Sequence, residues 1–111
     1  MRRGSAKSVQ SAVHDFAARL RERFPCEIDA IRLYGSVARG TAGKDSDVDV
    51  LVLVTKRTEA VEEFVIDLVC DIINEHGIFI ETVTITSSDY KKAVNYQYPF
   101  AINVERDSVA L

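Results

Sequence analysis

The sequence predicts an α/β (α+β) fold in which a mixed sheet of about three to four strands packs with helices, and three observations carry that expectation. Apolar residues recur at helical spacing over 5–24 and again after Thr58. Between those stretches lies Val48-Asp49-Val50-Leu51-Val52-Leu53-Val54, near-continuous aliphatic sequence of the kind that a strand buried on both faces requires. Strand-like and helix-like stretches then alternate along the chain, the order from which layered α/β domains are built.

Taken in order, Val9, Val13, Phe16 and Leu20, with Ala12 and Ala17 on the same side, predict an amphipathic helix over 5–24 that Pro25 closes. Ile28, Ile31 and Leu33 predict a half-buried strand over 27–34 that stops at Gly35. Gly35, Gly40 and Gly43, mixed with Ser, Thr and Lys, predict a short helix followed by a loop over 36–45. The aliphatic strand over 47–55 comes next, with Asp47 and Asp49 at its head. Thr58, followed by Glu59, Glu62 and Glu63, opens a long helix whose stripe of Val61, Phe64, Val65, Leu68, Val69, Ile72 and Ile73 ends at Gly77. Its acidic first turn complements the helix dipole. A third strand over 78–86 leads to Ser87-Ser88-Asp89, cap chemistry for a helix reaching about Gln97. Pro99 begins a short tail that finishes in a small strand near Val109.

A chain of 111 residues that is 47% apolar supports one ordinary core, so a single domain over 1–111 is expected. No apolar run approaches the roughly 20 residues of a membrane-spanning helix. The first five residues also lack the apolar stretch of a secretory signal. A soluble cytoplasmic protein with no membrane partner is the expectation. Cys26 and Cys70 lie far apart, without C-x-x-C spacing or a His in ligand register, and are expected to be reduced packing residues. A net charge of -3 and a pI of about 5.3 lack the electrostatic footprint of a nucleic-acid binder, so nucleic acid is not expected as a partner.

The chemistry-bearing stretch runs from Leu33-Tyr34-Gly35-Ser36-Val37-Ala38-Arg39-Gly40 to Ser46-Asp47-Val48-Asp49. Strand alternation sends Asp47 and Asp49 to one face, with α-carbons roughly 6 to 7 Å apart. Two like charges at the head of an aliphatic strand resist desolvation and call for a positive partner. Mg²⁺ supplies one, because it favours one or two carboxylates plus phosphate oxygens. Gly35, lacking a Cβ, lets a phosphate approach the backbone, while Ser36 adds a hydroxyl and the amides that follow add donors. Alone, a D-x-D is commonly solubilising charge and a Gly-Ser commonly a turn; together at this spacing they are not ordinary.

Gly35-Ser36 and Asp47-x-Asp49, with Ala38-Arg39-Gly40 and Ser46 between them, resemble the signature of the DNA polymerase β-like nucleotidyltransferases, and more narrowly of the minimal nucleotidyltransferases often paired with a HEPN partner. The motif core spans 33–54, and the pattern through Pro99-Phe100-Ala101-Ile102-Asn103-Val104 is also similar. The resemblance implies a nucleotidyltransferase fold and a reaction in which an acceptor hydroxyl attacks the α-phosphorus of an NTP, ATP foremost, and pyrophosphate leaves. It implies that Asp47 and Asp49 hold two Mg²⁺, that Gly35 and Ser36 grip the β- and γ-phosphates, and that Arg39 assists with phosphate. Family members commonly carry a third carboxylate on the next strand, where the acidic residue is Glu81. Alternation places Glu81 with Phe79, Val83 and Ile85, so it is either a semi-buried metal ligand or an edge-strand charge.

The implied role is that of an antitoxin that places AMP on a hydroxyl, a tyrosine of a HEPN-type toxin. Two other readings stand beside it. One is nucleotide transfer to a small aminoglycoside-type molecule. The other is a nucleotide-binding module of weak or decayed catalysis that neutralises its partner by occlusion. Among the remaining polar residues, His14 and His76 read as structural, and His76 beside Gly77 suits a helix C-terminus. Lys44, Lys56 and Arg57 read as flanking the cleft, either to attract a triphosphate or, by default, as solvated loop charge. Tyr90, Tyr96 and Tyr98 offer an aromatic surface for a base or a partner, or else core and rim packing.

Overall fold

A computed structural model describes residues 6–39 and 48–111. Helix α1 (Ala6–Arg23) leads into strand β1 (Ile28–Tyr34), which runs directly into the short helix α2 (Gly35–Arg39). Strand β2 (Val48–Val54), helix α3 (Glu59–His76), strand β3 (Ile80–Thr86) and helix α4 (Ser87–Asn95) follow. Helix α5 (Pro99–Asp107) and the short strand β4 (Val109–Ala110) complete the order. The sheet runs β3-β2-β1-β4, with β2 parallel to β3 and antiparallel to β1, so it is mixed and four-stranded as expected.

The period-2 geometry of β2 divides the molecule into three layers. Its even positions, Val48, Val50, Val52 and Val54, join Val13, Phe16 and Leu20 of α1 and Val61, Val65, Leu68 and Ile72 of α3 in the larger core. Leu51 and Leu53 point the other way, against Tyr90 of α4 and Ala101 and Val104 of α5. The sheet is therefore covered on both faces, which explains why β2 carries no solvent-facing polar alternation beyond Asp49. Asp49 has the parity of Leu51 and Leu53 and so belongs to the α4–α5 face.

Local chemistry sets the helix ends. The Thr58 hydroxyl accepts the Val61 N–H at 3.2 Å, and Gly77 closes α3 with φ 71°. The α3 stripe is narrower than expected, since Ile73 is exposed. The cap of α4 is Thr86, whose hydroxyl accepts the Asp89 N–H at 3.0 Å, rather than the serines after it, and the helix stops at Asn95. The expected tail after Pro99 is instead helix α5, with Pro99 in its first turn, where a missing N–H costs nothing. Only β4 matches the small terminal strand. Cys26 and Cys70 are both free and both exposed, which corrects their reading as packing residues. His76 meets Asp15 at 2.9 Å, and Arg19 reaches Glu75 at 3.1 Å, tying α1 to α3 at the surface. Among the described residues no helix is long and apolar enough to cross a membrane.

Candidate active site

Three segments meet where β1 ends and β2 begins. Antiparallel pairing sets Tyr34 opposite Asp49, and parallel pairing sets Asp49 in register with Glu81. Residues in register on neighbouring strands present their side chains on the same face, with strand axes about 4.8 Å apart. Asp49 is half-buried, whereas Glu81 is exposed on the edge strand β3. Glu81 is thus an edge-strand charge, exposed rather than semi-buried, and it shares the face of Asp49. Phe79, expected on that face, precedes β3 and stands exposed.

Gly35 stands against Asp49. Its φ of 78° lies in the left-handed region, and a Cβ built there would stand 2.5 Å from Asp49 Oδ2 and 3.4 Å from Cγ. The group that comes close to the Gly35 backbone is thus the Asp49 carboxylate. The glycine is required by that approach as well as by its backbone angle.

Tyr34, part of the motif stretch but without a role assigned from sequence, belongs to this site. Its phenol is pushed up to about 12, first by burial and then by the negative charges of Asp49 and Glu81. It stays neutral beside the two carboxylates at any physiological pH. Phe100 of α5 packs edge-on against its ring, with centroids 5.5 Å apart at 87°. The signal for Tyr34 lies in strand register, which a single stretch of sequence does not carry.

Other expectations fare differently. Asp47 and Lys44 lie outside the described residues, and so do the side chains of Ser36 and Arg39. Lys56 and Arg57 follow the far end of β2, seven and eight residues beyond Asp49, and the strand's last residue, Val54, is already about 17 Å from it. They do not flank the carboxylates, and Arg57 instead pairs with Glu62. Tyr90 is buried and donates to Glu105 at 2.6 Å, so it belongs to the second core; Tyr96 and Tyr98 are exposed.

The described residues bring two carboxylates to this point, not three. Their donors are all hard oxygens, a set that suits Mg²⁺ and not a soft metal. A family model for the nucleotidyltransferase domain matches residues 13–98, a span that holds every candidate site residue.

The chain belongs to the nucleotidyltransferase domain family.

This nucleotidyltransferase is 26% identical over 89 residues to a protein of Methanocaldococcus jannaschii described as a candidate protein adenylyltransferase, covering 80% of this chain and 85% of the relative. A solved structure described as a candidate minimal nucleotidyltransferase superposes with a TM-score of 0.59 at 23% identity, covering 93% of this chain and 95% of that one. Another, described as a toxin–antitoxin with AMP-PNP, superposes with a TM-score of 0.56 at 17% identity, covering 86% and 69%. At such identities the two structures speak for the fold, which is the expected nucleotidyltransferase fold.

Proposed function

We propose that this nucleotidyltransferase moves AMP from ATP to a protein hydroxyl, a tyrosine of a HEPN-type toxin, and so acts as the antitoxin of the pair. The observation that carries the reading is the register of Asp49 with Glu81 under the Gly35 turn, inside the span of the family match. The description of the M. jannaschii relative supports a protein acceptor and an adenylyl group. The toxin–antitoxin neighbour with AMP-PNP supports the partner class and the triphosphate.

Asp47, Asp49 and Glu81 would hold two Mg²⁺, an assignment that the oxygen donor set suits. Mg²⁺ bound there supplies neutralisation of phosphate charge and lowers the barrier to attack. Gly35, Ser36 and Arg39 would hold the phosphate chain. In the transfer, the acceptor oxygen bonds to the α-phosphorus as the bond from that phosphorus to the bridging oxygen breaks. Pyrophosphate leaves with the electron pair, and the hydroxyl proton passes to solvent. Tyr34, kept neutral, adds no further negative charge where the substrate already brings several.

The test is incubation with Mg²⁺ and α-³²P-labelled ATP, with and without the protein encoded by the neighbouring gene, followed by denaturation. Label on a tyrosine of the partner is expected. Mg²⁺-dependent ATP binding without any label would replace transfer by occlusion, and label on an aminoglycoside instead would move the acceptor to a small molecule.

A further inference from the structure

The turn between α4 and α5 carries features that the transfer chemistry leaves unused. Gln97 adopts φ 57°, the left-handed conformation in which helices commonly stop, most often at glycine. The turn is held by its own backbone: Gln97 N–H donates to the Val94 carbonyl and Tyr98 N–H to the Ala93 carbonyl, each at 3.0 Å. Held this way, the chain turns the rings of Tyr96 and Tyr98 to within 6.2 Å and 28° of each other. Both remain open to solvent, at 72% and 58%. Two nearly parallel aromatic rings held in water by such a helix stop do nothing for either core.

Their position gives the use. Phe100 lies two residues beyond Tyr98, a separation of at most about 7.6 Å between α-carbons. Its ring packs on Tyr34, and Tyr34 faces Asp49 across the strand pair. The turn that carries both tyrosines therefore lies at the end of the sheet where Tyr34 pairs with Asp49. Aromatic faces take any base by stacking, and a larger ring system stacks more strongly.

We propose that Tyr96 and Tyr98 form the platform on which the purine base of the nucleoside triphosphate stacks. This rests on the nucleotidyltransferase reading of the preceding subsection and adds to it the subsite for the base. Stacking alone favours ATP and GTP over pyrimidine nucleotides, and it leaves the triphosphate to the Gly35 end.

The test compares Mg²⁺-dependent binding of ATP with that of inorganic tripolyphosphate, which has no base. The full chain is set against the Tyr96→Ala/Tyr98→Ala double variant, with Tyr96→Phe/Tyr98→Phe as the conservative control. Thermal unfolding checks that each variant folds. The alanine variant is expected to bind ATP at least about ten-fold more weakly and tripolyphosphate unchanged, with the phenylalanine variant restoring ATP. Unchanged ATP affinity in the alanine variant overturns the platform, as does an equal loss for both ligands. Loss of partner association with ATP binding intact also overturns it, in favour of a protein-docking patch. If the wild-type chain binds tripolyphosphate as well as ATP, the platform fails while the nucleotidyltransferase reading stands. If it binds neither, that reading falls and the platform with it.

Discussion

Replacing Gly35 by alanine tests the closest approach in the site. The added methyl meets two separate penalties. Holding an L-residue at φ 78° costs about 1–2 kcal/mol, which for a domain of this size lowers Tm by roughly 5–15 °C. The methyl would also stand 2.5 Å from Asp49 Oδ2, where ordinary contact begins near 3.4 Å, so the carboxylate or α2 must shift by about 1 Å. A misplacement of that size in a reacting site lowers the rate about 100-fold. Gly77→Ala separates the two penalties, because Gly77 has φ 71° as the cap of α3 and plays no part in the carboxylate site. Thermal unfolding and label transfer from α-³²P-ATP are measured on both variants. Similar losses of Tm are expected, with a loss of transfer in Gly35→Ala alone. Equal transfer by the two variants would refute the claim that Gly35 is kept for the approach of Asp49.

Four further outcomes are expected. Glu81→Gln should lower transfer by at least about ten-fold with little change in Tm, since the side chain is exposed; wild-type transfer would return Glu81 to a plain edge charge. The raised Tyr34 value makes a pH prediction. The folded chain keeps the phenol protonated while the unfolded chain loses its proton near pH 10, so this contribution to stability is complete below pH 10 and is lost as pH rises toward 12. Denaturant unfolding from pH 9 to 12 should accordingly fall less steeply in Tyr34→Phe, and identical slopes would contradict the assignment. Leu68→Ala, at a position 1% exposed between α3 and the sheet, should cost about 2–5 kcal/mol in denaturant unfolding. Arg19→Ala should cost less than about 1 kcal/mol, and added salt should erase the difference, because its partners Glu75 and Asp71 are largely solvated.

Much of the frame was legible because its signals are local. The aliphatic run of β2, the Thr58 cap and the Gly77 stop each state their structure within a few residues, and all three appear as read. Asp49 at the head of a doubly covered strand was legible for the same reason. What escaped was either ambiguous or long-range. Pro99 serves equally to begin a helix or to break one, and only the burial of Ala101 and Val104 against β2 decides for α5. Thr86 and Ser87 both have cap chemistry, and backbone geometry selects Thr86. The place of Lys56 and Arg57 was misjudged because closeness in sequence to an aspartate says nothing about which end of the strand they follow. Tyr34 needs the pairing of β1 with β2, and the company of Glu81 with Asp49 needs the pairing of β2 with β3. Cys26 and Cys70 are exposed because the tendency of cysteine toward burial is statistical and not a demand of either site.

Nucleotide transfer is assigned to the Asp49 face of the sheet. The direct measurement is the rate of label transfer from α-³²P-ATP by the wild-type chain and by Asp49→Asn, in Mg²⁺ and in the presence of the partner protein, with unfolding curves showing both chains folded. Transfer by the wild-type chain is expected, with its loss in Asp49→Asn and partner association retained. Transfer at the wild-type rate by a folded Asp49→Asn chain would contradict that assignment.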